Sequence, residues 1–168
     1  IAALRRCLGE MDDAGELRSR FLPALDAAAS LACWPQLDAE FCERPQWLGA
    51  AAETGALARR ADHADSATGP IAARWLARLE ELRDWTRGGT RVGAGGTASA
   101  AEISPGRGRA LVETARGLLM HEIVLDGERI ADYFIVAPTE WNFHPQGPLA
   151  GAYWSAVKVA GCPWSTSG

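Results

Sequence analysis

The sequence predicts an α+β fold that is mainly α, a helical body with a small antiparallel hairpin or sheet near the C-terminus. Three observations predict it. Apolar residues recur at helical spacing through residues 2–31 and 70–87. Asp126-Gly127 falls between two β-rich runs, a strong short-range hairpin signal. The run before it is apolar on both faces, with Leu118, Met120 and Val124 on one and Leu119, Ile123 and Leu125 on the other. A strand of that kind is expected to be covered on both sides.

In residues 2–31, Leu4, Cys7, Leu8 and Met11, then Leu17, Phe21 and Leu25, hold helical spacing. Gly9 and Gly15 weaken the middle, and Pro23 kinks or restarts the helix. Residues 32–49 mix aromatics, prolines and cysteines without period and read as a packed irregular loop. Residues 51–61 can hold a short helix broken by Gly55. The clearest helix spans 70–87. Pro70 suits its first turn, Ile71, Trp75, Leu79 and Leu82 form one stripe, and Gly88-Gly89 ends it.

Residues 91–108 are rich in Gly, Ala and Ser and read as a flexible loop. They lack the G-K-S/T ending that brings a lysine and a hydroxyl to a phosphate and its metal. Residues 109–114 look like a strand, and 118–136 form the hairpin, with most of its side chains buried. Residues 148–160 predict a helix, and the tail after it frays.

Composition limits the function classes. At 168 residues the chain forms one domain, 1–168, with room for a core. A net charge of −4 and a pI near 5.4 argue against nucleic-acid binding. No apolar run approaches a membrane span, so no membrane partner is expected. The chain starts at Ile1 rather than Met and shows no secretory pattern, which reads as a fragment of a longer protein. Four cysteines (Cys7, Cys33, Cys42 and Cys162) without CxxC pairing point to a reducing, cytoplasmic compartment. Cys33 and Cys42 stand apart from zinc spacing. The seven tryptophans read as core and interface anchors, and Glu10, Asp12 and Asp13 as a solvated patch.

Polar residues of particular type punctuate the hairpin: Arg116, His121, Thr139 and Asn142. A tight hairpin returns its ends to one place. Residues 116 and 138–139 lie about eleven positions either side of the turn, so they can face each other. Arg116 offers a guanidinium, Thr139 a hydroxyl and a backbone N–H, and Pro138 a wall without an N–H. The bland alternatives are an Arg116 ion pair with Glu113 or Glu53, a hydrogen-bonded core His121, and Trp141 and Asn142 as locks of the turn presenting Thr139. His144 reads as a surface residue.

These motifs resemble the C-terminal part of the large subunit of nickel-iron hydrogenases. That family reads roughly E-x-P-R-G-x-L-x-H, an apolar hairpin, P-S/T-x-W-N-x-x-P and G-P-L-x-G. Here stand Glu113, Ala115, Arg116-Gly117, Leu119, His121, Pro138-Thr139, Trp141-Asn142, Pro145 and Gly147-Pro148-Leu149. Upstream, Glu53 to Arg60 resembles the family's E-x-G-P-L-A-R segment. Ala115 replaces the family's proline. The C-terminal D-P-C-x-x-C is missing, and Cys162 stands alone as a candidate metal ligand. A nickel-iron centre needs four soft thiolates, and one cannot replace a pair.

The combination is similar to accessory proteins of the HupK/HoxV type. The resemblance implies a C-terminal portion of a longer hydrogenase-large-subunit-like protein. Its implied role is that of a non-catalytic maturation scaffold holding or transferring an Fe(CN)2(CO) unit. It implies that Arg116, Pro138 and Thr139 contact cyanide and carbonyl, supported by Glu53, Ala115, His121 and Asn142. The full-length protein would carry the iron unit and this fragment none. Implied partners are other hydrogenase maturation proteins and the large-subunit precursor. Two alternatives stand beside it: a fragment of a true catalytic large subunit, and a paralogue that only docks maturation partners.

Overall fold

The computed structural model describes residues 20–22, 31, 34–63, 69–88, 97–147 and 149–150. Their elements are α1 (Ala39–Glu43), a 3-10 helix (Ala58–His63), α2 (Pro70–Thr86), β1 (Ala98–Ser104), β2 (Arg107–Thr114), β3 (Gly117–Asp126), β4 (Arg129–Val136) and α3 (Pro138–Asn142). The expected helices over most of 2–31 and 148–160, and Cys7, Cys33 and Cys162, lie outside the described residues.

The fold is not mainly helical. Helix and strand take comparable shares, and a four-stranded antiparallel meander in the order β1-β2-β3-β4 dominates. The expectation failed chiefly at residues 98–104, whose Ala- and Ser-rich run carries no alternation to read. They form a strand because β2 has backbone donors and acceptors to satisfy on that side. The Pro105-Gly106 turn returns the chain, with Gly106 at φ +72. Phe21 is not helical either. It makes a parallel bridge to Glu53. Within 32–49, α1 interrupts the irregular segment, capped by Asp38, which accepts from Phe41 N at 2.7 Å.

The β3–β4 hairpin forms with Asp126 paired to Arg129, so the loop is Gly127-Glu128, one residue later than Asp126-Gly127. Gly127 takes φ +59, as the first residue of a tight hairpin loop requires. The expected burial holds for only part of it. β3 is largely covered, but β4 is an edge strand with Ile130, Tyr133 and Ile135 exposed. One sheet face, carrying Leu111, Leu118, Met120 and Val136, packs on Leu22, Leu31, Trp34, Leu37, Ala52 and Trp141.

Helix α2 turns a different face inward than its apolar stripe predicts. Ala72, Ala73, Ala77 and Glu81 are buried, whereas Ile71, Trp75 and Leu82 are exposed. Polar anchors explain the rotation. Glu81 binds Arg59 through Nε at 2.6 Å, and Arg74 holds the Glu53 carboxylate at 2.8 and 2.7 Å. Turning these groups outward would leave the buried Glu53 carboxylate without its cation and Arg59 with Glu113 alone, and an uncompensated buried charge is costly.

The second hairpin, β2–β3, closes at Thr114 paired with Gly117, so Ala115-Arg116 form its two-residue loop. Gly117 has φ +132, and a Cβ there would lie 2.4 Å from Thr54 Cγ2 and 3.0 Å from Gly55 N. We therefore expect Gly117→Ala to destabilise the chain by about 3 kcal/mol, from backbone strain and overpacking together. Gly127→Ala, with nothing near its added Cβ, should cost about 1–2 kcal/mol. Urea unfolding of both variants checks the difference, and equal losses would contradict the close approach.

Candidate functional site

The β2–β3 loop, the segment 53–56 and α3 meet at one place, and two short polar side chains join them. The Asn142 side chain accepts from Thr54 N at 3.0 Å and donates to the Arg116 carbonyl at 3.5 Å. Thr54 Oγ1 accepts from Leu118 N at 2.9 Å. Thr114 Oγ1 accepts from Arg116 N at 3.2 Å and donates to the Gly117 carbonyl at 2.8 Å. The backbone of Arg116 is thus held on both sides, while its side chain is exposed.

The carboxylates that could have neutralised Arg116 are engaged elsewhere. Glu53 is buried and paired with Arg74. Glu113 is paired with Arg59 at 2.6 Å, and Arg59 also holds Glu81. Burial works against the Arg59 charge, but hydrogen bonds and charges from Glu81 and Glu113 outweigh it and raise its pKa. This leaves the Arg116 guanidinium without a hydrogen-bond or ion-pair partner among the described residues.

The other expected site residues divide into near and far. Pro138 is buried at the start of α3, and Thr139 follows it, exposed, with its hydroxyl donating to Glu140 Oε2 at 3.1 Å. Ala115 is exposed beside Arg116. His121 lies further along β3, paired with Ile135, and its Nδ1 is 2.5 Å from the Tyr133 hydroxyl. It is half-buried on the sheet face opposite Met120 rather than in the core. Arg116 and Thr139 are both exposed to solvent.

Thr54 was missed by sequence reasoning, although the neighbouring glycines at 55 and 117 signal a close approach. His144 was misread. It is buried, its Nδ1 accepts from Gln146 N at 3.1 Å, and its Nε2 is unpartnered. Trp141, fully buried between Trp34 and Phe41, anchors α3 to the core. Among the described residues no helix is long and apolar enough to cross a membrane. None of their His, Cys, Asp or Glu side chains gather in threes around a metal position. The Cys42 thiol is half-buried, and burial pushes its pKa up, which disfavours a thiolate.

Residues 67–157 match the family model of nickel-dependent hydrogenases. The chain belongs to that family. Among curated relatives, it is 40% identical over 132 residues to the hydrogenase expression/formation protein HupK of Bradyrhizobium diazoefficiens, covering 74% of this chain and 36% of the relative. It is 36% identical over 167 residues to the hydrogenase expression/formation protein HoxV of Cupriavidus necator, covering 88% of this chain and 42% of the relative. The chain therefore spans about two-fifths of the length of these relatives. In this member of the nickel-dependent hydrogenase family, the hairpin loop and α3 carrying Arg116, Thr139 and Asn142 fall inside the matched region.

Two outcomes are expected from this geometry. Asn142→Ala strands the Thr54 amide and should cost about 1–3 kcal/mol, whereas Asn142→Asp keeps an acceptor there. Hydrogen exchange at Thr54 N should accelerate in the first variant and stay slow in the second. His144 gives a pH dependence. Burial first, then the Arg44 charge, lowers its pKa below the ordinary 6.5. The unfolded chain thus binds the proton more readily, and stability falls as pH drops from 6.5 through the folded value. His144→Asn, which keeps an acceptor for Gln146 N, should flatten that slope in urea titrations.

Proposed function

We propose that this chain is part of a non-catalytic accessory protein of nickel-iron hydrogenase maturation that holds or transfers an Fe(CN)2(CO) unit. The carrying observation is the free, exposed Arg116 guanidinium on a backbone pinned by Thr114 and Asn142, with Thr139 on the same short helix as Asn142. The names of the relatives, hydrogenase expression/formation proteins, support the maturation role. A cyanide nitrogen is an anionic hydrogen-bond acceptor, and a guanidinium and a hydroxyl are suited donors. Pro138 adds a wall without an N–H that suits the neutral carbonyl. The cargo's own chemistry stays unchanged. The chain's residues bind and orient it. Cytoplasmic location and partnership with other maturation proteins and the large-subunit precursor belong to the same reading.

The test is infrared spectroscopy of full-length protein purified anaerobically. Arg116→Leu should weaken retention of the iron unit on the order of tenfold. That is the lower end for a charge-assisted hydrogen bond, because an exposed guanidinium is partly screened by water. Arg116→Lys should lose less, keeping the charge without the fork. Unchanged cyanide bands and iron content in both variants would remove Arg116 from the cargo. Hydrogen turnover above a cofactor-free control would instead indicate a catalytic subunit.

A further inference from the structure

Resting on the cargo reading above, the geometry points to Glu140 as a positioning residue that sets how readily the site releases its anionic cargo, acting through Thr139. Its Oε2 accepts the Thr139 hydroxyl at 3.1 Å. Both residues lie in the first turn of α3, after Pro138. The hydroxyl has one hydrogen to donate. To meet a cyanide nitrogen it must leave a carboxylate, itself a strong charged acceptor. The cargo therefore competes with Glu140 for that hydrogen, and Glu140 recaptures it as the cargo departs. Arg116 provides no relief, since no ion pair joins it to Glu140 among the described residues. A site built only to hold would place a neutral residue here; a carboxylate suits one that must hand the unit on.

The experiment uses full-length protein carrying the iron unit, with loss of the cyanide stretches followed after adding an iron chelator. Glu140→Gln keeps the side chain's size and removes the charge. It should slow release by roughly three- to tenfold, because the amide oxygen still accepts the hydroxyl and only the charge assistance is lost. It should also shift a cyanide stretch, which a purely structural residue would not do. In a Thr139→Val background, Glu140→Gln should change the release rate little. Wild-type release and spectra in Glu140→Gln would overturn the inference while leaving the cargo reading intact. An equal slowing in both backgrounds would overturn action through Thr139. A wild-type protein without cyanide stretches would overturn the cargo reading, and this inference with it.

Discussion

The approach of Gly117 to Thr54 is the constraint on which the rest of the site depends. The two segments are so close that a single methyl group at residue 117 would overlap the Thr54 side chain. That contact brings the Thr54 hydroxyl to Leu118 N and the Thr54 amide to Asn142. From there α3 is placed, and with it Pro138 and Thr139. Two short polar side chains thus align a turn, an extended segment and a helix that are far apart in sequence. No large hydrophobic contact could do this as specifically, because burial has no direction and a hydrogen bond does.

Buried ion pairs provide the second layer of order. Arg109 is 3% exposed and joins Glu122 through Nη2 at 2.5 Å while donating to the carbonyls of Leu31, Trp34 and Pro35. One guanidinium therefore fastens the irregular segment before α1 to the sheet's core face. Arg59 does the same between α2 and β2. Such pairs add little net stability against hydrophobic replacements, but half a pair is costly. Their effect is on arrangement: they fix which face of α2 turns inward and hold Leu31, Trp34 and Pro35 against the sheet.

What was legible in the sequence follows the same division. The β3–β4 hairpin and the existence of α2 could be read because glycine, proline and apolar period act locally. The rotation of α2 could not, because Arg74 and Glu81 find their partners at Glu53 and Arg59, elsewhere in the chain. Strand β1 was hidden because alanine and serine carry no face preference, so its pairing with β2 decides its state. In the candidate site the residue types could be read from motif order. That Arg116 occupies a hairpin loop of its own, and that Glu113 and Glu53 are taken by other arginines, required the tertiary structure.

The contrast between a fixed backbone and free side chains bears on how a carrier can work. Arg116 has both backbone polar groups engaged, yet its guanidinium is exposed and unpaired among the described residues. Position is therefore determined before any ligand arrives, and little ordering cost remains for the loop. On the proposed reading the grip of that charge is modest, since a charge in water interacts far more weakly than one in a dry interior. A catalytic centre needs enclosure to strengthen each interaction. On the proposed reading, a scaffold that passes its cargo on needs accurate placement and limited grip, and a pinned turn with an exposed charge supplies both.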